Sequence, residues 1–263
     1  MWAMLEHNCP EQLVMKINAL YLTVFTAYKI AHLINETDIK GFTMKNIVIT
    51  GANRGIGLAL TTLFQQQGDN VYALCRTSSE ALNALKVNII TGVDVVSPKG
   101  MSVIKDELKG VTIDILICNA GILRDEQLGN INSDTIREQF EVNALAPLLI
   151  AEALYQQIPA QGKVVMITSR MGSITDNTSG GRYGYRMSKA ALNAAAVSLT
   201  NDLTPHEIAV GIFHPGYVQT DMVNHSGDIS ANECGQRLVT LINQLSMKDS
   251  GVFRHSNGAI LPW

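Results

Sequence analysis

Tyr185 and Lys189 stand four residues apart in Gly184-Tyr185-Arg186-Met187-Ser188-Lys189, a run of helix formers, and Ser169 follows the apolar run from Lys163 to Thr168. A spacing of four puts phenol and ammonium on one helix face. A free phenol, with a pKa of about 10, is a poor proton donor at neutral pH. A cation ~5 Å away, at an effective dielectric of about 20, lowers that value by roughly two units and makes the pair a general acid. The same spacing also arises on ordinary solvated helix faces, so the pair gains weight only from motifs that converge with it. Tyr183 has no such partner, because Met187 stands four residues beyond it.

A second motif lies near the start of the domain. Lys45 to Thr50 reads as a buried strand, Gly51-Ala52-Asn53-Arg54-Gly55-Ile56-Gly57 follows it, and Leu58 to Phe64 continues with a helical apolar pattern. Strand, glycine turn and helix form a phosphate-binding unit. Glycines let backbone approach a pyrophosphate, and the helix start offers unpaired N–H groups and a positive dipole end. The spacing is Gly-x3-Gly-x-Gly, which differs from the Gly-x-Gly-x2-Gly dinucleotide fingerprint.

Together with further motifs in order, these two resemble the short-chain dehydrogenase/reductase family over roughly residues 44–263. In that resemblance Thr50, Gly51, Asn53, Arg54, Gly55, Ile56 and Gly57 form the cofactor turn, and Asp94 is the acid on the adenine side. Asn119-Ala120-Gly121 is the motif after the fourth strand, with Cys118 in place of the usual first Asn. Asn143, Ser169, Tyr185 and Lys189 match the catalytic tetrad. Pro215-Gly216-Tyr217-Val218-Gln219-Thr220 matches the loop that closes on nicotinamide. Ser169 to Ser173 and the ending Asn257 to Trp263 are most similar to the branch that holds Sniffer carbonyl reductase and the bacterial C-factor proteins.

The resemblance implies hydride transfer between nicotinamide and a carbonyl or alcohol carbon. Tyr185 would give the proton, Ser169 would hydrogen-bond the same oxygen, and Lys189 would lower the Tyr185 pKa and grip the nicotinamide ribose. Asn143 would hold a water behind Lys189, while Val218 and Thr220 would anchor the carboxamide. Charge argues for NADP(H) over NAD(H). Where an NAD enzyme places an acid at the end of its second strand, this chain reads Leu74-Cys75-Arg76-Thr77-Ser78, and Arg76, with Arg54, is available to a 2′-phosphate. The alternative on the same fold is a cofactor-binding signalling or sensing protein.

The strands near 45–50, 70–75, 87–91, 112–118, 163–168, 208–213 and 258–261 alternate with helical patterns at about 56–67, 97–109, 133–157, 184–203 and 231–246. Nearly continuous apolar strands joined by helices predict an α/β fold, a doubly wound parallel sheet of Rossmann type, with the ligand beyond the strands' carboxyl ends. The 263 residues carry a formal net charge of −3 and no basic block, so no nucleic-acid partner is expected. Four scattered cysteines, Cys9, Cys75, Cys118 and Cys234, form neither a metal motif nor a disulfide framework. A small-molecule carbonyl or alcohol partner, a cytoplasmic location and a homodimer or homotetramer are expected. Arg170, Arg182, Met222 and His225 border the expected substrate side and are assigned no role.

Residues 1–43 precede the family domain. Leu13, Ile17, Leu20, Val24, Ala27, Ala31 and Ile34 recur at steps of four and three, which predicts a helical arm over about 10–35. Such a helix needs an apolar partner, either a neighbouring subunit or its own domain. A start codon placed before the natural first residue, Met44, explains the segment equally. The apolar stretch is too short to span a membrane and carries Asn18, Thr23 and Thr26.

Overall fold

A computed structural model describes residues 44–263; the expected arm lies outside the described residues. The strands in chain order are β1 (Asn46–Thr50), β2 (Asn70–Leu74), β3 (Asn88–Ile90), β4 (Ile115–Cys118), β5 (Lys163–Ile167), β6 (Ala209–His214), the two-residue β7 (Val218–Gln219) and β8 (Ile229–Ser230), and β9 (Phe253–His255). Seven of them form one parallel sheet in the order β3-β2-β1-β4-β5-β6-β9, and β7 pairs with β8 separately. The chain winds outward from β1 to one edge and from β4 to the other, the doubly wound arrangement expected.

Alternate residues of each strand feed opposite faces, so the central strands are apolar on both faces. Val48, Leu116, Val164, Met166, Val210 and Ile212 pack with Ile104, Ile150, Leu154 and Leu192 on one face. Ile47, Ile49, Ile115, Ile117, Val165 and Phe213 pack with Leu60, Phe64, Leu238 and Ile242 on the other. The helices supplying these covers are α1 (Gly55–Gln66), α2 (Glu80–Asn83), α3 (Pro98–Glu107), α4 (Ser133–Phe140), α5 (Ala146–Leu154), α6 (Tyr183–Leu203) and α7 (Ala231–Gln244). Ser79, Ser97, Asn132 and Ser230 cap α2, α3, α4 and α7 by accepting first-turn N–H bonds.

Two expectations need correction. The seventh strand is not 258–261 but Phe253–His255: the chain turns at Gly258, φ +93°, and folds back so that His255 N donates to Ala259 O at 2.8 Å and Leu261 N to Phe253 O at 2.9 Å. Nor is 133–157 one helix. Its ladder widens into a π turn at Glu141–Leu145 and ends in a 3₁₀ turn at Tyr155–Gln157. Pro147 has no N–H to offer the Asn143 carbonyl, which gives the ladder a reason to slip there. The short α2 and the β7–β8 pair were also absent from the sequence pattern, both being too brief to show a period.

The carboxyl ends of β1 and β4 are tied by Thr50, whose Oγ1 accepts from Asn119 N at 3.0 Å and Ala120 N at 3.1 Å. Thr50 is buried, so Thr50→Val leaves two amides unpaired at a cost of about 1–3 kcal/mol each. The expected outcome is a fall in melting temperature of several degrees, read by calorimetry.

Candidate active site

Most residues singled out by motif sit at the carboxyl ends of the central strands. The turn after β1 holds Gly51 and Gly55 at φ +66° and +53°, conformations that favour glycine. A Cβ on Gly57 would lie 2.1 Å from Gly51 O, so α1 packs directly on the turn. Arg54, the N-cap of α1, makes no side-chain cap bond, and the first turn has no acidic residue. No side chain of the cap therefore competes for those N–H groups, which suits a phosphate.

Around this turn the polar side chains are mostly tied to backbone. Asn119 Nδ2 donates to Thr50 O and Gly51 O, Asn53 Nδ2 to Thr77 O, and Asp94 Oδ1 accepts from Val96 N at 3.3 Å. Arg76 is exposed at the end of β2 and has no side-chain partner among the described residues. Arg54, expected beside it, instead pairs with Asp221 at 3.1 Å; at 66% and 57% side-chain exposure this bridge is weak and easily exchanged. His225 meets the other oxygen of Asp221 at 3.1 Å. Thr220 packs near the glycine turn, its Cγ2 3.3 Å from where a Gly55 Cβ would be. Pro215 O accepts from buried Ser256, and Gly216 adopts φ +99°. Val218 is buried in β7, opposite Ile229.

Across the cleft lies a buried polar group. Ser169, just past β5, uses its Oγ to accept Met171 N at 3.1 Å. Tyr185 and Lys189 are both buried on α6, with Lys189 Nζ 6.0 Å from the phenol ring centroid and donating to Ile167 O at 2.9 Å. Asn143 sits inside the π turn, a form of helix often found at functional sites. Its amide accepts from Ile122 N and donates to Ile122 O, both at 2.8 Å, and donates to Ser188 Oγ at 3.1 Å. Gly121 lies between: a Cβ there would stand 3.2 Å from Asn143 Oδ1 and 3.8 Å from Lys189 Nζ.

The profile of the short-chain dehydrogenases matches residues 45–229. The chain belongs to this family. A relative from Rhodococcus sp. (strain AD45), 1-hydroxy-2-glutathionyl-2-methyl-3-butene dehydrogenase, is 35% identical over 227 residues, 84% of this chain and all of that protein. The C-signal protein of Myxococcus xanthus is 38% identical over 154 residues, 57% of this chain and 93% of its own. Among solved structures, an NADPH-bound carbonyl reductase from chicken fatty liver superposes with a TM-score of 0.76 at 28% identity, covering 84% of this chain and 99% of that one. Carbonyl reductase Sniffer of D. melanogaster gives 0.74 at 29%, covering 84% and 100%. The resemblance to the Sniffer and C-signal branch is thus borne out.

In this short-chain dehydrogenase the electrostatics differ from the simple pairing expected. Burial pushes the Tyr185 phenol up, and hydrogen bonding with Ser169 and the charge of Arg182 only partly oppose it. Lys189, aimed at a backbone carbonyl, is not among the groups that lower the phenol. Burial lowers Lys189 itself to about 8. His214, at the end of β6, is held neutral, its pKa pushed down to about 3 by burial and by the positive groups around it, with His255 first among them. Its ring meets His255 edge to face at 4.9 Å. Among the described residues, no helix is long and apolar enough to cross a membrane.

Motif reading missed three contributors. Ser188, which takes the Asn143 amide bond, looked like an ordinary helix serine. His214 lay next to Pro215-Gly216 without a constellation to mark it. Glu126 stood in the run Arg124-Asp125-Glu126-Gln127, where nothing separates a buried acid from exposed ones.

The Lys189 pKa carries a sign that can be checked. A folded value near 8 against the ordinary 10.5 means the unfolded chain binds the proton more readily between those values. Its stabilising contribution is complete above about 10.5 and is lost as pH falls toward 8. Urea unfolding across this range is expected to show wild-type stability rising with pH relative to Lys189→Met, which has no such group.

Proposed function

We propose that the protein is an NADP(H)-dependent oxidoreductase that interconverts a carbonyl and an alcohol, with Asn143, Ser169, Tyr185 and Lys189 as its catalytic group. Membership in the dehydrogenase family makes oxidoreduction the coarse function; the carbonyl reductases among its structural neighbours support the substrate class. The observation that carries the finer reading is the burial of a phenol, an ammonium, a serine and an asparagine beside an uncapped glycine turn. A sensing protein has no chemical need for that group.

NADP(H), when bound, supplies or accepts the hydride. The phosphates suit the first-turn N–H groups of α1, and the exposed Arg76 suits a 2′-phosphate, with Arg54 free to exchange Asp221 for it. Asp94 lies on the adenine side, Asn119, Ala120 and Gly121 line the middle of the cleft, and Pro215, Gly216, Val218 and Thr220 form the nicotinamide side.

Tyr185 holds its proton at neutral pH, but burial pushes its pKa up and so opposes donation, which the hydrogen bond with Ser169 and the charge of Arg182 partly offset. Tyr185 gives this proton to the oxygen that gains charge as the carbonyl is reduced, and Ser169 Oγ–H stabilises the same oxygen. Lys189, protonated below pH about 8, is the next donor in line. Asn143, which the family resemblance places behind Lys189 with a water, completes the path that returns the proton from solvent. Residues 44–263 form the catalytic domain of a cytoplasmic homo-oligomer in this reading.

Oxidation of NADPH, followed by absorbance against ketones, aldehydes, diketones and quinones, tests the reading. Tyr185→Phe should lower kcat by at least about a hundredfold, within the range of lost general acid catalysis, and leave NADPH Kd within twofold. Full activity in that variant contradicts the role. NADPH binding with no turnover anywhere in the panel favours the signalling alternative that the C-signal likeness keeps open. Arg76→Ala should weaken NADPH by about tenfold or more and leave NADH unchanged, measured by calorimetric titration; equal effects on both would remove Arg76 from the 2′-phosphate site.

A further inference from the structure

The segment entering α6 is held in an unusual shape. Gly180, Gly181 and Arg182 all adopt left-handed φ values, +63°, +64° and +51°, and Arg182 does so without the freedom of glycine. Two devices hold them. Arg186 reaches back from α6 to donate to Ser179 Oγ at 2.8 Å and Gly181 O at 3.2 Å. Glu126, from the loop before α4, accepts Arg182 N on its backbone carbonyl at 2.7 Å and Gly184 N on Oε2 at 3.1 Å.

Glu126 is 2% exposed, a costly place for a charge unless it is fully bonded. Oε1 accepts from Thr135 Oγ1 and Gln139 Nε2, both at 2.7 Å, and Gln139 Oε1 in turn accepts Arg124 N at 2.8 Å. Arg182, the N-cap of α6, makes no cap bond with its own side chain. The acid from a distant loop therefore does the capping, at the positive end of the helix dipole. Contact is so close that a Cβ on Gly184 would lie 2.4 Å from Gln139 Nε2 and 3.0 Å from Glu126 Oε1. The residue after Gly184 is Tyr185.

We infer that Glu126 is a positioning residue for the reaction: its carboxylate caps the catalytic helix from outside and fixes where the Tyr185 phenol stands. The role rests on Tyr185 being the proton donor, as proposed above. It acts through the helix start and not by contact with the substrate. Thr135 and Gln139 complete the clamp, and α4 thereby sets the first turn of α6.

Glu126→Gln keeps the shape and removes the charge that Gly184 N, Thr135 and Gln139 converge on. Ring-labelled tyrosine gives seven NMR signals, of which Tyr185 is identified by its loss in Tyr185→Phe. The expected result is a displaced Tyr185 resonance, kcat lowered about tenfold for the carbonyl compound the wild type reduces fastest, and NADPH Kd within twofold. A folded variant with the wild-type Tyr185 resonance or the wild-type kcat overturns the inference, as does a loss of NADPH affinity matching the loss in kcat. Should Glu126→Gln not fold, Thr135→Val, which removes one donor, is judged by the same readings with a smaller displacement. If Tyr185→Phe is itself fully active, the proposed chemistry is what fails, and the resonance alone decides the clamp.

Discussion

The structure depends on burying an ammonium and a phenol, Lys189 and Tyr185, one helical turn apart against the end of β5. Lys189 is buried with a single carbonyl, that of Ile167, to receive its proton-bearing nitrogen. Desolvation lowers its pKa to about 8, and the same desolvation pushes that of Tyr185 up. Burial also demands close packing: a Cβ on Gly172 would fall 2.7 Å from the Lys189 carbonyl carbon.

The sheet makes this burial possible by bringing distant parts of the chain to one edge. β1 and β4 supply the glycine turn and Asn119, β5 supplies Ser169, and β6 leads into Pro215. Parallel strands all end on the same side, so four loops converge without any of them being near in sequence. Asn143 joins from the π turn, where the slipped ladder lets a side chain of a cover helix bind the Ile122 backbone on both its N–H and its C=O. The dipoles of these short ties are fixed before any substrate arrives.

Much of this was legible in the sequence because it depends on local rules. Apolar strands and the glycines of the turn after β1 show directly in residue order. What stayed hidden depends on tertiary context. Phe253–His255 carries Arg254 and His255, so Ala259 to Leu261 looked the better strand until the turn at Gly258 folded it back. The break at Asn143 follows from one proline inside a run that is otherwise helical. Arg54 was read toward a phosphate, and its pairing with Asp221 crosses 167 residues of sequence. Spacing suggested that Lys189 would lower the phenol, yet desolvation dominates and Lys189 is not among the groups that oppose it, and burial is not written in a spacing of four.

The most direct measurement is isotope transfer from NADPH carrying deuterium at the reactive carbon, with the alcohol product analysed by mass spectrometry. The account predicts deuterium on the new carbinol carbon in the wild type and at least about a hundredfold less labelled product per unit time from Tyr185→Phe under the same conditions. Bound NADPH that delivers no deuterium to any carbonyl compound, or equal labelling by the variant, would contradict it.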